Sequence, residues 1–91
     1  MADAPSGEID LPFEWDDDKA ASNLEKHGVS FEEVATVCRD PFALLFDDEA
    51  HSSEEQHEII IGHSTRNRLL LACFTERREK LRIFSARPAT R

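Results

Sequence analysis

Cysteine is scarce, long hydrophobic runs are missing, and basic residues are almost absent from the first two thirds of the chain. Each shortage excludes something. Two cysteines cannot supply the disulfide framework on which small secreted domains rely. Cys38 and Cys73 sit inside apolar runs and are expected to be buried thiols in a reducing cytoplasm. No apolar stretch approaches the roughly 20 residues of a membrane span, so no membrane role is expected. Residues Met1 to Asp10 carry Asp3, Glu8 and Asp10 but no Lys or Arg, which argues against a signal peptide. With Pro5, Ser6 and Gly7 among them, residues 1–10 are expected to form a disordered acidic tail. The remaining residues, 11–91, are enough for one domain and too few for two.

The net charge of −8 argues at first against nucleic acid as a partner. Its distribution argues the other way. Residues 1–65 hold 17 acids and 3 bases, a net of −14, whereas residues 66–91 hold 2 acids and 8 bases, a net of +6. A basic C-terminal third on an acidic body can form a phosphate-binding surface. The plainer alternative is a set of solvated strand-edge cations paired with acidic helices.

The pattern along the chain is strand, two helices, then a meander. Leu11 to Trp15 is a short apolar stretch suited to a first strand. Asp16 is placed to cap a helix, Asp17 and Asp18 complement its dipole, and Gly28 suits a left-handed stop. Ser30 and Glu33 are spaced as a capping box for a second helix, with Val29 and Val34 as its staple. Phe31, Val34, Ala35 and Cys38 make that helix's apolar stripe, with Val37 beside them, and Asp40-Pro41 ends it. Phe42–Phe46, Glu58–His63, Arg68–Thr75 and Lys80–Ala86 then read as strands, the last three joined by hairpin turns. Leu69 to Ala72 is apolar on both faces, which places that strand mid-sheet. The expected fold class is α+β, with two N-terminal helices packed on one face of a mainly antiparallel sheet. Trp15, Phe31, Phe42, Phe46, Phe74 and Phe84 are expected to be mostly core.

Several segments together are distinctive. Phe13-Glu14-Trp15-Asp16, Lys19, Asn23-Leu24 and Lys26-His27-Gly28-Val29-Ser30-Phe31-Glu32-Glu33 are followed by Ile61-Gly62-His63-Ser64, Arg68-Leu69-Leu70, Thr75-Glu76-Arg77 and Arg82-Ile83-Phe84-Ser85-Ala86-Arg87. In this order they resemble the BrnT toxins of type II toxin–antitoxin systems, over roughly residues 11–91. The resemblance implies a RelE-like fold, mRNA cleavage free or on the ribosome, inhibition of translation, and neutralisation by a BrnA-like ribbon-helix-helix antitoxin. It also implies that DNA is met only indirectly, through that antitoxin.

A ribonuclease of this kind has the RNA 2′-hydroxyl attack the adjacent phosphorus, and needs no metal and no cofactor. The protein moves a proton from the hydroxyl, steadies the charged phosphorane and assists the leaving oxygen. Arginine suits the second task through its permanently charged planar fork. Histidine suits the proton transfers. Arg82, Arg87, His57 and His27 are therefore the candidate catalytic residues, and Lys26, Arg77, Phe84 and Arg91 the candidate RNA contacts. Each has a plainer reading. Arg82 can pair with a helix carboxylate, and Lys26 and His27 can simply complement a helix C-terminus, for about 0.3–1 kcal/mol each.

His57 departs from the resemblance, which has Arg at that place, and Pro88 stands where a base is usual. The two departures and the acidic charge favour an alternative: a weak or silent toxin that acts as co-repressor through its antitoxin. His51, His57 and His63 recur every six residues, which is not a zinc-site spacing. On a regular strand His57 and His63 stand about 20 Å apart, so no metal site is expected.

Overall fold

The structure is a computed structural model that describes residues 12–48 and 56–89. The expected acidic tail, His51 and Arg91 lie outside the described residues. The element order is β1 (Phe13–Glu14), α1 (Asp17–His27), α2 (Phe31–Val37), β2 (Leu44–Asp47), β3 (His57–His63), β4 (Leu69–Arg77) and β5 (Lys80–Pro88). The strands form one sheet in the order β1-β5-β4-β3-β2, with β1 parallel to β5 and every other pairing antiparallel. β4 is central, as its two-sided apolar composition requires.

The helix boundaries follow local chemistry. The Asp16 carboxylate accepts the Lys19 N–H at 3.3 Å, with Asp17 and Asp18 in the first turn of α1. Gly28 ends it at φ 70°, in the left-handed region that glycine occupies without strain, and its N–H returns to the Leu24 carbonyl at 2.8 Å. The Ser30 hydroxyl accepts the Glu33 N–H at 3.0 Å and so starts α2. Only half of the expected capping box forms. The Glu33 carboxylate is drawn away from the Ser30 backbone to Arg68 and Ser64, charge-assisted partners that outcompete it.

One sheet face is packed by the helices. Val29, Phe31, Val34, Val37 and Cys38 meet Ile60, Leu70, Ala72, Phe74, Leu81, Ile83 and Ala86 in a single core. Burying a side chain such as Phe31 stabilises the fold by about 1.5–3 kcal/mol. α1 contributes little to this core. Leu24 is 51% exposed, and the buried residue of α1 is the polar Asn23. Its amide donates to the carbonyls of Val29 (3.0 Å) and Ala86 (2.9 Å), and its oxygen accepts the Ala86 N–H at 3.0 Å. α1 is thus pinned to β5 by hydrogen bonds.

Three aromatic assignments change: Phe84 lies outside the core cluster, and so do Phe42 and Phe46. Phe42, in the turn before β2, is 86% exposed, and Phe46, on β2 itself, is 46% exposed, because β2 lies at the sheet edge where no layer covers it among the described residues. The two cysteines are free, Cys38 buried and Cys73 half-buried. Burial pushes the Cys38 thiol up to about 11. Among the described residues, no helix is long and apolar enough to cross a membrane.

Candidate active site

The face of the sheet away from the core carries the candidate residues. β5 holds an extra residue there: Ile83 pairs with Phe74 and Ser85 with Cys73, so Phe84 is the bulge. Before it, Leu81 and Ile83 point into the core; after it, Ala86 does. Arg82 and Arg87 consequently share the outer face although five positions separate them. Strict alternation would have sent one of them inward. β5 also extends to Pro88, so Arg87 is part of the strand and does not follow its end.

Pairing aligns Glu14 with Arg82, Arg82 with Thr75, and Thr75 with His57, a single row across β1, β5, β4 and β3. Glu14 Oε2 lies 3.5 Å from Arg82 Nη1, so the partner of Arg82 is a strand carboxylate and not a helical one. The Phe84 ring rests against His57, with centroids 4.7 Å apart and planes tilted by 50°. The two rings meet across β4, the strand that separates theirs.

Two clefts flank this row. One, of about 260 Å³, lies between α1 and β5 and is lined by Lys19, Ser22, Asn23, Lys26, His27, Phe84 and Ser85. The other, of about 360 Å³, is lined by Glu14, Arg77, Arg78, Lys80 and Arg82 at the β4–β5 hairpin. Arg78 and Glu79 take positive φ (54° and 64°) in that tight turn, which sets Arg77 and Lys80 opposite each other.

Lys26, His27 and Phe84 therefore come together in one cleft, and His57 joins them through Phe84. Arg82 and Arg77 share the other cleft. Arg87 stands apart and exposed; its pairing position, Leu71, is four residues along β4 from that of Arg82, about 13 Å at strand rise. Its Nη1 donates to the Pro88 carbonyl at 3.4 Å. Sequence reasoning missed Lys19, Ser22, Ser85, Arg78 and Lys80 as site residues. For the α1 residues a signal existed: positions 19, 22, 23 and 26 fall on one helical face.

The α1–α2 corner that presents Lys26 and His27 is held from behind. Arg68 Nε donates to Glu33 Oε2 at 3.0 Å, and Nη2 donates to Glu33 Oε1 at 2.6 Å and to the Gly28 carbonyl at 2.9 Å. Ser64 donates to the same carboxylate at 2.7 Å. The Arg68 guanidinium holds the Glu33 carboxyl below the usual range, against the opposing effect of its burial.

Such an arrangement can hold an anion beside a flat ring: cations in both clefts, an aromatic platform, and an imidazole between them. Among the described residues, no group of three or more His, Cys, Asp or Glu is placed to hold a metal ion. His57 and His63 sit at opposite ends of β3.

The fold and this face define a small α+β protein with one sheet face covered by helices and a cationic, aromatic outer one. The family model described as ribonuclease toxin, BrnT, of type II toxin–antitoxin system matches residues 15–91, and the chain belongs to that family. The crystal structure of the Brucella abortus ribonuclease toxin BrnT shares the fold, at a TM-score of 0.69 and 20% identity, over 90% of this chain and 100% of that one. Among curated proteins, nothing matches the sequence.

Proposed function

We propose that this chain cleaves mRNA with the row from Arg82 to His57 as its centre, by attack of the RNA 2′-hydroxyl on the adjacent phosphorus. The observation that carries this reading is the convergence of Arg82, Phe84 and His57 on the outer face of the sheet between two cationic clefts. In this reading no metal takes part. Arg82 steadies the charge that develops on the phosphate, and His57 or His27 moves the proton. Phe84 stacks a base, and Lys26 and Arg77 hold the backbone on either side. Arg87 lies far enough along β5 to meet a neighbouring phosphate.

Neutralisation by a BrnA-like ribbon-helix-helix antitoxin fits the same face, which a partner must cover or distort to silence it. DNA contact then belongs to the antitoxin, because the acidic body of this chain opposes a second polyanion.

A second reading has its own observation. Glu14 already neutralises part of the Arg82 charge at 3.5 Å, and His57 stands where the family resemblance has Arg. Both point to a weakened enzyme that serves chiefly as co-repressor. Inducing the chain in bacteria and mapping mRNA 5′ ends separates the two. Growth arrest with new ends is expected, and Arg82→Ala should lower cleavage by about 10²–10³-fold. No new ends from the wild type or from His57→Arg would leave the co-repressor reading standing.

A further inference from the structure

We propose that the outer edge of β2 receives an extended segment of the antitoxin, one that alternates apolar with Lys or Arg residues and adds a strand to the sheet. The proposal rests on the family's pairing with an antitoxin and goes beyond the ribonuclease reading, since β2 lies on the far side of the sheet from β5.

β2 is the last strand in the order, and among the described residues it pairs with β3 alone. The Asp48 N–H donates to the His57 carbonyl at 2.8 Å. Antiparallel pairing alternates, so Phe46 and Leu44 also turn their peptide groups toward β3, while Asp47 and Leu45 turn theirs outward. Those outward groups are the template on which another strand forms.

The side chains there are apolar and uncovered. Five large hydrophobic residues are exposed among the described residues, and four fall in this stretch: Phe42 (86%), Leu44 (57%), Leu45 (49%) and Phe46 (46%). Leu44 and Phe46 lie on the outer face with Ile61 and Ile59, and Leu45 lies on the helix face with Ile60. An added strand would therefore be flanked by apolar surface on both sides. Natural edges are commonly blunted by lysines. None is present here, for the sequence has no Lys or Arg from Asp40 to Thr65.

Charge selects the occupant. Asp40, Asp47, Asp48 and Glu58 surround the edge. Burial, with Asp47 and Glu76 nearby, pushes the Glu58 carboxyl up. A second copy pairing across a two-fold axis through Phe46 would set Asp47 against Leu45 and add its own carboxylates without a single base. RNA would be repelled by the same charges. A basic, strand-forming protein segment satisfies the peptide groups, the apolar flanks and the carboxylates together.

The test is backbone amide exchange by NMR on the full chain, alone and bound to its cognate antitoxin. Binding should slow exchange at Leu45 and Asp47 by about tenfold or more, with smaller changes at Leu44 and Phe46, already bonded to β3. Leu45→Pro removes an outward donor but no bond to β3, and should weaken antitoxin binding by about tenfold or more. Leu44→Lys with Phe46→Lys, both on exposed positions, should weaken it likewise while melting and RNA cleavage stay unchanged. A wild-type complex with Leu45 and Asp47 unprotected overturns the proposal and leaves the toxin–antitoxin pairing intact. Protection that arises in the chain alone as its concentration rises overturns it in favour of a second copy. A wild type that does not bind the antitoxin overturns the pairing itself.

Discussion

Asn23 shows how one buried amide can place a reactive surface. Its three hydrogen bonds join α1 to the Val29 carbonyl and to both peptide groups of Ala86, just past the bulge that carries Phe84. The Lys26-His27 end of α1 and the Phe84-Ser85 segment therefore keep one separation. Asn23→Ala leaves a buried N–H and two carbonyls without these bonds. With each unsatisfied group costing about 1–3 kcal/mol and some relaxation of α1, a net loss of about 2–3 kcal/mol is expected. Urea denaturation should show it as a lower midpoint with an unchanged slope. A loss below about 0.5 kcal/mol would mean that α1 is held by other contacts. Nothing in the sequence near Asn23 marks it as buried, since its partner Ala86 lies at the other end of the chain.

At the scale of elements, the Glu33 carboxylate binds α2 to the β3–β4 hairpin through Ser64 and Arg68, and Arg68 reaches on to the α1–α2 corner. Arg68, first among the causes, lowers the folded value of Glu33 below its ordinary 4.5. The stabilisation it gives is complete above that value and is lost as pH falls below it. Asp40, held low by the N–H groups of His63 and Phe42, acts in the same direction, and Glu58, pushed up, acts in the opposite one. Thermal melts between pH 6 and 3 should thus fall more steeply for the wild type than for Glu33→Gln; parallel curves would contradict the linkage. Here the sequence was partly legible. Caps, turns and the apolar stripe of α2 are local, and they located both helices and the meander. The half-formed capping box was not legible, because the rival for Glu33 is 35 residues away. Nor was the exposure of Phe42 and Phe46, since an apolar run does not state whether its strand is central or at an edge.

Over the whole molecule the charge split acquires a direction. Six cations, Lys19, Lys26, Arg77, Arg78, Lys80 and Arg82, line the two clefts beside β5, while β2 at the opposite edge has carboxylates around it. Composition disclosed that polarity; only the sheet order shows that its poles lie on opposite flanks. RNA should approach from the β5 side. If all six cations engage single-stranded phosphates, log affinity falls against log salt with a slope near −4, at about −0.7 per contact. Titrating an RNA made uncleavable by 2′-methoxy groups from 50 to 200 mM salt should then weaken binding by roughly 300-fold. A slope near zero would sink the electrostatic part of the proposed site.

The bulge at Phe84 has a consequence for descent as well as for geometry. Beyond it every side chain of β5 is in opposite phase to the residues before it. Deleting that one codon would restore a regular ladder and leave Ser85, Ala86 and Arg87 on the faces they hold now, because Ser85 already pairs with Cys73, next to the Ile83–Phe74 pair. Substitutions along β5 act one position at a time, whereas a codon inserted elsewhere in the strand, with no bulge to take up the extra residue, inverts every side chain beyond it. Relatives of this chain should thus tolerate the loss of residue 84 far more readily than a residue gained elsewhere on that strand.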